Sequence, residues 1–111
     1  MPNKLDSKDL SKVTGGTNDF YDIFRKVSNI ENKINQCVGS ISNTYYFYLI
    51  KMTLISCHSD CVKKQYAVLK TNLGSLKLFL NRATTEYPEL KDDVEQYIIP
   101  EIDNLINSIT E

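Results

Sequence analysis

The chain has 111 residues, with 13 Lys and Arg against 14 Asp and Glu for a formal net charge of −1. Its length suits one domain, and a hydrophobic share of 41% beside 24% charged residues excludes global disorder. The even charge balance gives no electrostatic reason to expect nucleic acid as a partner. A single His and no Trp leave little for most hydrolase or metalloenzyme schemes.

No run approaches the ~18 apolar residues of a membrane-spanning helix; the longest weakly polar stretch, Tyr45 to Ile50, is cut short by Lys51. The first sixteen residues, MPNKLDSKDLSKVTGG, differ in character from the rest of the chain. They are polar and lack the apolar core of a secretory signal peptide. Leu5, Leu10 and Val13 are isolated among charges, and Gly15-Gly16 then supplies two residues of maximal backbone freedom. After Thr17 the chain becomes strongly periodic. The expected organisation is a flexible segment over residues 1–16 and a helical domain over residues 17–111.

The opening segment resembles the double-glycine leader of Gram-positive class II bacteriocins and their pheromones. In that family apolar residues sit at fixed distances before a Gly-Gly pair, and Leu5, Leu10, Val13, Gly15 and Gly16 occupy the signature positions. The resemblance implies that Leu5, Leu10 and Val13 dock on the peptidase domain of a peptidase-containing ABC transporter. It implies cleavage between Gly16 and Thr17 during export, with glycine required because the cleft before the catalytic cysteine has no room for a β-carbon. It covers sixteen residues and speaks to export, not to the nature of the cargo.

The remainder of the chain reads as all-α. A first helix is expected from about Asp19 to Val38, capped by Asn18 or Thr17. Its stripe is Phe20, Ile23, Phe24, Val27, Ile30, Ile34, Cys37 and Val38. A second is expected after Asn43 to about Asn72, with a seam of Tyr48, Met52, Ile55, Ser59, Val62, Tyr66, Leu69 and Leu73, and Gly74 as C-cap or kink. Its first half is apolar on more than one face and rich in strand formers, so residues 44–56 fit either class. A third is expected from Ser75 through Leu76, Phe79, Leu80, Ala83 and Tyr87, stopped by Pro88. The fourth carries Leu90, Val94, Tyr97, Ile98, Ile102, Leu105, Ile106 and Ile109. Pro100 removes the bond to Gln96 and should bend or break it near Ile99. Four amphipathic helices with short links predict an antiparallel four-helix bundle.

Candidate chemistry is sparse. In a hairpin turning near residue 41, Cys37 and Cys57 are offset by about 18 Å, beyond the ~7 Å Cα limit of a disulfide. A Cys57–Cys61 bridge would strain a helix, so three free thiols are expected. Cys37, Cys57, Cys61 and His58 form a nominal zinc set, but the same register separates them and His58 points a quarter-turn from Cys57. No metal, cofactor or catalytic residue is therefore assigned. Tyr45, Tyr46 and Tyr48 around Phe47 suit either a core edge or a contact belt. Lys63-Lys64 and the acidic run Glu86 to Glu95 read as solvated faces.

Two functions compete ahead of a third, a secreted binding module unrelated to bacteriocins. One is a secreted, bacteriocin-like effector released after leader removal. The other is an immunity-type protein, cytoplasmic and membrane-associated, because bacteriocin immunity proteins resemble small four-helix bundles of this size. Its partners would be a membrane receptor or a cognate bacteriocin.

Overall fold

A computed structural model describes residues 19–109, so Leu5, Leu10, Val13, Gly15, Gly16 and Thr17 lie outside the described residues. Helix α1 is Phe20–Val38. Asp19 caps it by accepting from the Tyr21 N–H at 3.0 Å, and Asp22 sits on the positive end of the dipole. The cap is one residue later than expected. Its buried side chains are Ile23, Val27, Ile30, Ile34 and Val38, five of the eight residues of the anticipated stripe; Phe20, Phe24 and Cys37 are half-buried against them. A 3₁₀ turn, Gly39–Ile41, leads to Thr44. The Thr44 hydroxyl accepts from the Phe47 N–H at 3.3 Å and donates to the Ile41 carbonyl at 2.7 Å, fixing the start of α2, Tyr45–Val62.

Here the structure departs from the expected second helix, which does not run to Asn72. It ends at Val62, and α3 spans Tyr66–Glu86. The reversal is a Schellman turn: the Lys64 N–H bonds to the Cys61 carbonyl at 3.1 Å and the Gln65 N–H to the Asp60 carbonyl at 2.9 Å. Lys64 takes the left-handed position at φ 57, a place usually given to glycine. Gly74 is not a cap but an exposed residue inside α3, and Ser75 does not start a helix.

The seam of α2 is also corrected. Tyr48, Met52, Ile55 and Val62 point outward; the core takes Ile50, Leu54, Cys57 and Cys61 with Thr53 and Asp60. The helix is apolar on opposite faces, so periodicity alone does not say which faces inward. From Leu69 onward the expected residues are buried: Leu69, Leu73, Leu76, Leu80 and Ala83.

Beyond Tyr87, residues 88–108 form the fourth arm: a 3₁₀ turn at Pro88–Leu90, a single α-turn at Lys91–Asp93, a π-turn at Val94–Ile98 and α4, Ile99–Ser108. The expected disturbance before Pro100 takes the form of that π-turn. The Ile99 N–H reaches back five residues to the Val94 carbonyl, so the ladder is re-phased around the missing proline donor. Val94, Ile98, Ile102, Leu105 and Ile109 stay on the core side, while Tyr97 turns out to solvent.

Side-chain ties give the order around the bundle. Glu31 on α1 meets Lys51 and His58 on α2, and Asp60 on α2 meets Asn72 on α3. Lys77 on α3 pairs with Asp103 on α4, and Lys33 on α1 pairs with Glu101 on α4. Sequence neighbours are therefore spatial neighbours, and the first and last arms close the ring. This is the antiparallel four-helix bundle, about 52 Å long and 25 by 18 Å across. No strand occurs among the described residues.

Candidate interaction surface

The lone histidine belongs to a polar cluster between α1 and α2. His58 Nε2 lies 3.0 Å from Glu31 Oε1, and Lys51 Nζ donates to Glu31 Oε2 at 3.2 Å and to Asn35 Oδ1 at 3.1 Å. The Phe24 ring packs against the imidazole at 4.9 Å between centroids. Partial burial opposes the charged form of Glu31. The hydrogen bonds from His58 and Lys51 outweigh it, holding the carboxyl below its usual value. His58 Nδ1 is buried without a partner. Both bases thus serve one carboxylate, while Cys57 is buried in the core and His58 meets Glu31 on α1.

All three cysteines are free thiols, Cys57 and Cys61 buried and Cys37 half-buried. Burial first, and the neighbouring Asp60 second, push Cys57 up to about 12 and Cys61 up to about 11. Such thiols are poor nucleophiles and poor metal ligands. Among the described residues no three His, Cys, Asp or Glu side chains converge as a metal would need. A shallow concavity between Asn81, Thr84, Lys91 and Glu95 is open and polar, and a smaller one passes Cys37, Asp93 and Tyr97. Neither encloses a ligand-sized apolar space.

The feature that stands out is the outer face of α2. Tyr45 is 70% exposed, Tyr48 56%, Met52 45%, Ile55 59% and Val62 64%. With half-buried Ser59 they fall at spacings of three, four, three, four and three, one continuous stripe opposite the core-facing residues of the same helix. The Tyr45 and Tyr48 rings stack at 6.0 Å into a flat aromatic slab at one end. A helix apolar all round is normally buried all round; α2 is covered on one side. The tyrosine belt noted in the sequence divides accordingly. Tyr46 and Phe47 pack against the core, Tyr46 edge-on to Tyr87, and Tyr45 and Tyr48 face out.

Charge is segregated as well. Residues 45–85 hold Lys51, Lys63, Lys64, Lys70, Lys77 and Arg82 against Asp60 alone, whereas residues 86–109 hold seven acidic residues against Lys91. No described helix is long and apolar enough to cross a membrane. No known family model, curated protein or solved structure matches the chain.

Proposed function

We propose that the chain is a bacteriocin-locus protein, exported and cleaved after Gly16 by a peptidase-containing ABC transporter, and that the released bundle acts outside the cell as a secreted bacteriocin-like effector. The observation that carries this reading is the Gly15-Gly16 pair with Leu5, Leu10 and Val13 before it, set immediately ahead of the helical domain. The position of the α1 cap supports it: Asp19 lies past Thr17, so a cut after Gly16 would leave every described element whole. The effector is a binding protein, not an enzyme.

Intact mass of the protein recovered from culture medium tests this. A product beginning at Thr17 is expected. Gly16→Val should abolish cleavage by closing the narrow cleft, and Leu10→Asp should lower export by weakening transporter docking. Secretion unaffected by both substitutions would refute the leader.

The four-helix fold favours a second reading, an immunity-type protein acting beside the membrane of the producer on a receptor or cognate bacteriocin. A cell-retained chain starting at Met1, and survival of a sensitive strain that expresses it, would select that reading over the first.

A further inference from the structure

We infer that the outer face of α2 is the seam of an antiparallel homodimer, in which α2 of one copy packs along α2 of another. The pattern itself selects a helix as occupant: six positions at alternating three- and four-residue spacing repeat along the whole 18-residue helix, the periodicity by which one helix seats its side chains between those of another.

The order of side-chain sizes then selects a second copy, running in the opposite direction. Placing a two-fold axis between Met52 and Ile55 sets Tyr45 against Val62 of the second copy, Tyr48 against its Ser59 and Met52 against its Ile55. The stacked tyrosine slab thereby meets the end with the smaller side chains, Ser59 and Val62, at both ends of the seam. Such an interface is isologous and closes after two copies. A parallel pairing lacks this fit. It would put Ser59 against Ser59, tyrosine against tyrosine, and the exposed Lys63 and Lys64 of both copies side by side.

The borders agree with the antiparallel choice. Leu49 and Ser56 line one border and carry no charge. Lys51 and His58 line the other, but each is already tied to Glu31 of its own chain. Lys63 and Lys64 lie beyond the end of the seam. One helix of about 27 Å forms an interface at the small end of the stable range, near about 1,200 Å² in total, so a reversible, concentration-dependent dimer is expected.

Sedimentation equilibrium of the full chain should show a monomer–dimer equilibrium. Ile55→Asp should weaken the dimer by at least about a hundredfold, since symmetry places two such carboxylates in the seam, one from each copy, while leaving the monomer's thermal unfolding unchanged because Ile55 is 59% exposed. Orientation is read by cross-linking. Tyr48→Cys with Ser59→Cys should give an intermolecular disulfide under mild oxidation, against the wild-type chain as control. Tyr48→Cys alone should not, because in the antiparallel register its two copies stand about 16 Å apart along the axis, far beyond disulfide reach. A chain monomeric at every accessible concentration, a dimer indifferent to Ile55→Asp, or efficient cross-linking by Tyr48→Cys alone would overturn the inference. So would a monomer that binds anionic lipid vesicles through the same residues. None of these outcomes bears on the leader, which is tested by the mass of the secreted product.

Discussion

Removing the partner of Asp60 should cost the bundle as much as truncating a core side chain. Asp60 is only 6% exposed, and its Oδ2 accepts from Asn72 Nδ2 at 2.6 Å across the α2–α3 interface. A hydrogen bond to a charged group contributes about 1.5–3 kcal/mol. Asn72→Ala also leaves a carboxylate facing the protein with its partner gone; because Asn72 is neutral, the ~3–5 kcal/mol of a broken buried ion pair is an upper bound. Asn72 is half-buried, so water reaches the gap and the loss should fall below that range; about 2–3 kcal/mol is expected. For a domain of this size that lowers Tm by about 10–20 °C. Urea unfolding followed by circular dichroism, within a double-mutant cycle, gives the assay. Asp60→Leu and Asn72→Leu should each be costly, whereas the double variant should cost less than their sum, because no polar atom is then left alone. Additive behaviour, or a loss under about 0.5 kcal/mol for Asn72→Ala, would refute the clamp.

Gly74→Ala should stabilise the protein by about 1 kcal/mol, because a β-carbon there meets nothing within 4 Å; a loss in urea unfolding would contradict a mid-helix Gly74. Lys64→Gly should also stabilise, by about 1 kcal/mol, since Lys64 holds a left-handed φ of 57. The reverse effect in the same assay would contradict the Schellman turn. Alkali should unfold the bundle. Cys57 and Cys61 titrate near 12 and 11 in the fold against an ordinary 9.0. Both folded values are raised, so their contribution is complete below pH 9 and is lost as pH climbs toward 11–12. At pH 10 each thiol favours the unfolded chain by about 1.4 kcal/mol. Replacing both by Ala should make the fall in stability between pH 9 and 11 shallower, and an unchanged slope would refute the assignment.

How far the sequence discloses this fold depends on how one-sided each helix is. In α1 the apolar residues other than the exposed Tyr21 lie on one stripe, with polar or charged residues elsewhere. Periodicity therefore returns both the helix and its buried face. The fourth arm is nearly as legible because Pro100 announces its own disturbance, although proline does not reveal that a π-turn will absorb it. The α2–α3 reversal is hidden because its left-handed residue is Lys64, not glycine, and because the apolar period continues through Tyr66 and Leu69 as though no turn intervened. Length points the other way: a helix reaching Asn72 would be roughly half as long again as the 19-residue α1 it must pair with. Of the candidate site, Tyr45 and Tyr48 are visible as a belt, and Met52, Ile55 and Val62 as a seam. Their outward aspect is not visible.

The ambiguity of α2 arises from the same property that exposes its outer face. Ile50, Leu54, Cys57 and Cys61 repeat at four, three and four residues; Tyr45, Tyr48, Met52, Ile55, Ser59 and Val62 repeat at three and four on the opposite side. Hydrophobicity does not choose between them, and polar residues do. Asp60 lies on the flank of the inner stripe that borders α3, where Asn72 and the Schellman turn can both use it, one through its carboxylate and the other through its backbone carbonyl. Lys51 and His58 lie on the flank that borders α1, where Glu31 can hold both. Rotating α2 by half a turn would bury the outer stripe equally well but would strand the Asp60 carboxylate away from α3 and both bases away from Glu31. Unpaired polar groups at a helix interface cost more than the small difference between two apolar faces returns. The orientation of α2 is thus set by its few polar residues, and the outer stripe is exposed as a consequence.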